Sequence, residues 1–207
     1  MTALSQILEH KIVAILRGMP PGEIINIANA LHNGGVRLLE ITLNSESALP
    51  AIEQLNHQFK NKMLIGAGTV IDEKDAQNAI AAGAAFLISP LLDATVIKAA
   101  KDAGVASIPG AFTPTEIITA YKNGADIIKL FPCLNADYVK NVLAPLNFIK
   151  IMPTGSIDAS NIQSFAKTGA VAFGIGSALV SREASVNQAY LETITAKAKQ
   201  LVAALHG

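Results

Sequence analysis

Eight short apolar runs, recurring at roughly 20 to 27 residues, constrain this chain more than any other feature, because that interval suits successive strand–helix units. The runs cover 12–16, 36–41, 63–66, 84–88, 105–108, 126–130, 148–152 and 171–175. Amphipathic stretches lie between them, at 23–32, 45–59, 73–82, 94–102 and 115–122. Asp72, Asp93, Thr113 and Asp158 each precede a helical pattern, where a side-chain oxygen accepts from the free N–H groups of a first turn. Asn33-Gly34-Gly35, Ala82-Gly83, Ala103-Gly104, Asn123-Gly124 and Thr168-Gly169 each stand just before the next run, where glycine provides the left-handed residue that ends a helix. Strand, loop, helix and glycine repeated eight times read as an α/β fold, a (β/α)8 TIM barrel. An open doubly wound sheet also accommodates eight runs, but no dinucleotide fingerprint follows the first. Residues 4–10 read as an extra N-terminal helix over the barrel bottom and 187–205 as a final helix. No linker divides the chain, so residues 1–207 are expected to form one domain.

Composition sets limits on function. Sixteen basic residues balance sixteen acidic ones, so no basic surface points to nucleic acid or an anionic membrane. No apolar stretch approaches bilayer length, and residues 1–6 lack the charged start and long apolar core of a secretion signal. Cys133 is the only cysteine, which excludes an intrachain disulfide and fits a reducing compartment. The expected location is the cytoplasm.

Barrel chemistry collects at the C-terminal ends of strands. At those ends only Lys129 and Glu40 can do proton or nucleophile work. Lys129 lies in Asp126-Ile127-Ile128-Lys129-Leu130-Phe131-Pro132, an apolar setting that strips its hydration and lowers its pKa, as Schiff-base chemistry requires. Glu40, alone among acids in the second run, suits a general base whose pKa is adjusted by partial burial. The four histidines fall in helices or the tail, so no histidine metal site is expected. Cys133 reads as a small loop residue and Lys150 as a structural or pocket-floor cation. Thr154-Gly155-Ser156 and Gly174-Ile175-Gly176-Ser177 end the last two strands, where backbone N–H groups commonly hold a phosphate.

With these residues placed, the whole chain resembles the 2-keto-3-deoxy-6-phosphogluconate (KDPG) and 4-hydroxy-2-oxoglutarate (KHG) aldolase family. The matching motifs are Leu39-Glu40-Ile41-Thr42-Leu43, Ile65-Gly66-Ala67-Gly68-Thr69-Val70, Ile88-Ser89-Pro90, Ile108-Pro109-Gly110, Lys129-Leu130-Phe131-Pro132, Pro153-Thr154-Gly155 and Gly176-Ser177-Ala178-Leu179-Val180. The resemblance implies a metal-independent class I aldolase without a cofactor, with Lys129 as the Schiff-base lysine, Glu40 as the acid–base group and Thr69 as the binder of the pyruvyl carboxylate. It further implies that Pro90 and Phe131 wall the pocket and that Gly155, Ser156, Gly176 and Ser177 hold the phosphate. Its implied partners are a phosphorylated 2-keto-3-deoxy sugar acid and pyruvate, and its implied assembly is a homotrimer.

Three departures accompany the resemblance. Asn44 stands where some members carry a carboxylate-gripping arginine, and Arg17 at the end of the first strand is the expected replacement. Ser156 replaces the second glycine of the family's Gly-Gly, which is tolerable if its φ stays negative. Parts of 14–18 and 43–45 also resemble the sister aldolase acting on 2-keto-3-deoxy-6-phosphogalactonate, whereas Thr154 resembles the phosphogluconate type. Besides these two lyase readings stands a third, a non-catalytic phosphosugar-binding barrel.

Overall fold

The computed structural model describes residues 1–182 and 185–206. Its strands are β1 (Ile12–Leu16), β2 (Leu38–Thr42), β3 (Leu64–Gly68), β4 (Phe86–Ile88), β5 (Ala106–Ile108), β6 (Gly110–Ala111), β7 (Ile128–Leu130), β8 (Ile151–Pro153) and β9 (Phe173–Ile175). The helices are α1 (Ala3–His10), α2 (Ile24–Asn33), α3 (Ala48–Gln58), α4 (Glu73–Ala81), α5 (Ala94–Asp102), α6 (Pro114–Lys122), α7 (Ala136–Leu143), α8 (Ile162–Ala166) and α9 (Gln188–His206). All strand pairs are parallel. One sheet runs β5-β4-β3-β2-β1-β9 and curls as a half-barrel; the other runs β6-β7-β8. Pro109 separates β5 from β6, since it has no N–H to give a ladder, yet its carbonyl accepts from Lys129 N at 2.9 Å. A parallel bridge between Thr154 and Gly174 joins the other margins of the two sheets.

Strand alternation sorts side chains into two cores. On β1, Ile12, Ala14 and Leu16 face the helices while Val13 faces inward; on β2, Leu39 and Ile41 face out and Leu38 in. The inner core gathers Val13, Leu38, Phe86, Ile88, Ile108, Ile127 and Met152, with Ile7 of α1 fully buried against it. Thr2 caps α1 by accepting from Ser5 N at 3.1 Å. Gly66 is required here because a Cβ at that position would overlap the Phe86 ring. The same alternation turns Glu40, two residues after Leu38, and Lys129, two after Ile127, towards the interior.

Most strands begin one to three residues later than the apolar runs do, for a physical reason. The first apolar residues after each glycine cap the preceding helix: Val36, Ala84, Val105 and Ala125 donate their N–H to Leu31, Ala79, Ala100 and Ala120 O. Gly35, Gly83, Gly104 and Gly124 between them have φ of 96°, 90°, 68° and 93°. These are the six-to-one bonds of a Schellman ending. Among the expected caps, Asp72, Asp93 and Thr113 accept from first-turn N–H groups. Asp158 does not cap a helix: Asp158 Oδ1 accepts from Ser160 N in a turn, and α8 starts only at Ile162. Lys150 is exposed in a small hollow with Leu4, Tyr121 and Phe148, at the opposite end of its strand from the mouth, so it is no pocket-floor cation. Among the described residues no helix is long and apolar enough to cross a membrane.

Candidate active site

Glu40 and Lys129 are the two charged side chains buried among the described residues, at 0% and 3% exposure. Glu40 pairs with Ile15 of β1 and Gly66 of β3; Lys129 pairs with Gly110 and Met152. Gly68 makes room for the acid, since a Cβ there would overlap the Glu40 carboxylate. Neither Glu40 oxygen has a hydrogen-bond partner among the described residues, and the same holds for the buried Thr154 Oγ1. An unpaired buried polar atom costs about 1–3 kcal/mol, a cost that the resting fold carries at Glu40 and at Thr154.

The electrostatics follow from this burial. Loss of hydration pushes the Glu40 carboxyl above its ordinary range, against the opposing pull of Lys129 and then Arg17. Loss of hydration likewise draws the Lys129 ammonium down, opposed by the Glu40 charge and reinforced by Arg17. Lys129 Nζ lies 4.9 Å from the Phe131 ring centroid, over a face that favours a cation. A buried acid and a buried amine are thereby both drawn towards their neutral forms.

A cleft of about 650 Å³ opens above Lys129. It brings together eight of the eleven residues nominated from sequence: Lys129, Arg17, Phe131 and Thr154, with Gly155, Ser156, Gly176 and Ser177 at its rim. Glu40 lies behind this surface, fully covered. Pro90 lines an adjoining hollow of about 400 Å³, with Phe131 shared between the two. Thr69 lines neither, and its φ of 58° is unusual for a β-branched residue. Thr154 Oγ1 lies over Gly174, where any Cβ would overlap it. Ser156 has φ 54°, contrary to the negative value expected of it. Its carbonyl accepts from Asn161 Nδ2 at 2.8 Å, which ties the left-handed turn down. Leu179 and Val180 both donate to Gly176 O, forming a turn at the rim. The N–H groups of Gly176, Ser177 and Ala178 have no acceptor among the described residues.

Arg17 is exposed at the mouth. The next residue, Gly18, donates its N–H to Ser45 Oγ at 2.8 Å, and that hydroxyl lies 2.9 Å from Thr42 Oγ1, so the ends of β1 and β2 are laced together. Arg182, which inspection of strand ends passes over, also lines the cleft. Its only sequence signal is a basic residue soon after the apolar turn at 178–180. Cys133 is buried and its thiol is pushed up to about 11 by lost hydration, as befits an unreactive loop residue. His10, His32, His57 and His206 all lie on helices. Among the described residues no three His, Cys, Asp or Glu side chains gather where they could hold a metal.

Comparison with known proteins bears on this arrangement. The family model described as KDPG and KHG aldolase matches residues 4–196. The 2-dehydro-3-deoxy-phosphogluconate aldolase of Dickeya dadantii (strain 3937) is 35% identical over 182 residues, 86% of this chain and 84% of that one. The probable 2-dehydro-3-deoxy-6-phosphogalactonate aldolase of Rhizobium meliloti (strain 1021) is 33% identical over 175 residues, 83% of this chain and 82% of its own. Among solved structures, KDPG aldolase from Legionella pneumophila, with pyruvate captured at low pH as a covalent carbinolamine intermediate, superposes with a TM-score of 0.86 at 26% identity, covering 97% of this chain and 98% of that one. By the extent of the family match and by these relatives, the chain belongs to the KDPG and KHG aldolase family.

Proposed function

We propose that this protein is a class I aldolase that cleaves 2-keto-3-deoxy-6-phosphogluconate to pyruvate and glyceraldehyde 3-phosphate through a Schiff base on Lys129. The observation that carries this reading is the buried, inward-facing pair of Lys129 and Glu40, each displaced towards its neutral form and coupled to the other. A neutral Lys129 amine attacks the C2 carbonyl to give a carbinolamine. Glu40, as an acid, protonates the departing hydroxyl, and water leaves the iminium. The Glu40 carboxylate then takes the proton from the C4 hydroxyl while the C3–C4 bond breaks. Its electron pair moves into the iminium nitrogen, leaving an enamine and releasing glyceraldehyde 3-phosphate. Protonation at C3 and addition of water return Lys129 and release pyruvate. The iminium nitrogen is the electron sink, so we take the reaction to be independent of metal and cofactor.

In this reading Arg17 binds the pyruvyl carboxylate, Pro90 and Phe131 wall the pocket, and the backbone at Gly155, Ser156, Gly176 and Ser177 holds the phosphate; Thr69, outside both linings, keeps its carboxylate role only from the resemblance. Cleavage of 4-hydroxy-2-oxoglutarate to pyruvate and glyoxylate uses the same bonds. The phosphogalactonate aldolase reading differs only in the C4 configuration accepted, and relatives of both names lie at similar identity. Thr154 favours the phosphogluconate: its buried hydroxyl has no partner among the described residues, and a hydroxyl aimed at C4–OH discriminates by about 1–3 kcal/mol. We further take the two sheets as one closed (β/α)8 barrel in a single domain, with α1 as its bottom cover. The bridge at Thr154 and Gly174 supports that closure, as does the interruption at Pro109. A cytoplasmic homotrimer is the matching assembly.

Incubation with pyruvate and sodium borohydride tests the proposal. The expected result is an irreversible mass gain of one reduced pyruvyl adduct, abolished in Lys129→Ala. An adduct that persists in that variant, or none in the wild type, overturns the Schiff-base assignment.

A further inference from the structure

We infer that Arg182 is a specificity-determining residue of this chain, its guanidinium binding the substrate phosphate at the rim of the cleft, beside the backbone of Gly176 and Ser177. The inference rests on the aldolase reading above and adds to it a side-chain anion contact.

The placement comes first. Arg182 lines the same cleft as Gly155, Ser156, Gly176 and Ser177, although it stands well past the end of β9. Its side chain packs beside Gly18: a Cβ on that glycine would come 3.1 Å from Nε, 3.3 Å from Cδ and 3.5 Å from Cζ. Gly18, at φ 62°, is held by Ser45 Oγ, so the surface beside that side chain is fixed by the end of β2. A second anchor comes from α9. Tyr190 Oη accepts from Ser181 N at 2.6 Å and donates to Ser181 O at 3.1 Å, fixing the backbone immediately before Arg182. An arginine on a long loop gains such support where its direction matters.

The charge pattern comes second. Arg17 and Arg182 share the cleft, and neither forms an ion pair among the described residues. The carboxylate in the lining, Asp158, has its Oδ1 occupied by the N–H and hydroxyl of Ser160. Two guanidinium groups with no ion pair among the described residues suit a substrate with two anionic ends. Arg17 is the one whose charge acts on Lys129 and Glu40, which assigns it to the carboxylate beside the reacting carbon. Arg182, on the rim with the glycine turns, is left for the distal phosphate. A planar guanidinium matches a phosphate with paired hydrogen bonds and adds a full positive charge, which backbone N–H groups do not carry.

The experiment compares cleavage of phosphorylated and unphosphorylated substrates. In Arg182→Gln, kcat/KM for 2-keto-3-deoxy-6-phosphogluconate should fall about tenfold or more relative to kcat/KM for 4-hydroxy-2-oxoglutarate, chiefly through KM. Arg182→Lys should recover part of that ratio, and competitive inhibition by inorganic phosphate should weaken in step with it. Tyr190→Phe, which removes the hydroxyl bound to Ser181 N and O, should shift the ratio the same way by less. An equal fall for both substrates, or no change in the ratio, overturns the assignment of Arg182 while leaving the aldolase reading intact. A wild type that forms no borohydride-trapped pyruvate adduct overturns both.

Discussion

The deep part of the site and its rim are made in opposite ways. Below, Lys129 and Glu40 project from β7 and β2, and their direction is settled by strand alternation and by the glycine that clears space for the acid. Above, Ser156 at φ 54° and Gly155 at φ 114° belong to turns, and the cationic side chains reach in from loops. On the proposed reading, the difference teaches that chemistry is lodged where backbone conformation is most redundant, whereas selection among substrates is lodged where it is most easily altered. Changes below should therefore strike turnover, and changes above should strike the choice of substrate.

The largest effect is expected from Lys129→Ala, which removes the proposed nucleophile and should lower kcat by about a thousandfold or more, read by pyruvate release. Gly68→Ala comes next, although it alters no reacting group. Its methyl competes with the Glu40 carboxylate for one volume, so kcat should fall by about a hundredfold and stability by about 1–3 kcal/mol in urea unfolding. An active, fully stable Gly68→Ala variant would show that Glu40 has another place to go.

Glu40→Gln tests the coupling itself. Because the Glu40 charge raises the pKa of Lys129, its removal should shift the pH dependence of borohydride trapping towards lower pH; Arg17→Ala, which removes a like charge, should shift it higher and weaken pyruvate binding. Stability carries a matching signature. The folded-state pKa of Glu40 is raised above its unfolded value near 4.5, so the wild type binds more protons folded than unfolded between those two values. Stability from that group is full below the unfolded pKa and is lost as pH rises through the folded one. Glu40→Gln should therefore gain on the wild type as pH rises from 4.5, measured by denaturation at several pH values. The smallest effect belongs to the rim: Ser156→Gly relieves a left-handed serine and should raise stability by about 1 kcal/mol, seen as a small rise in Tm.

Legibility in the sequence divides along the same line. The repeated runs disclose the strands, and with them the side of each strand that Lys129 and Glu40 occupy, because alternation leaves no third choice. The starts of the strands were less readable. An apolar Val36 or Ala84 looks the same whether it caps a helix or enters a ladder, and only the bond to Leu31 or Ala79 separates the two. Arg182 was invisible for a related reason. Nothing between Ser177 and α9 has a period, and its place in the cleft is decided by Gly18 and Tyr190, which are distant in the chain. The sign of φ at Ser156 is likewise a property of the turn around it, which no residue preference dictates.

The glycine endings of α2, α4, α5 and α6 carry a consequence for how such a chain tolerates change. Each resets the backbone with a bond that reaches back no further than its own helix. A residue inserted in a loop at the mouth alters the path into the following helix, but the exit resets before the next strand starts. The layers beneath keep their phase. Loop length at the catalytic end is in this sense insulated from the core, and the protein can lengthen or trade its rim segments one at a time without shifting the lysine and the acid out of register.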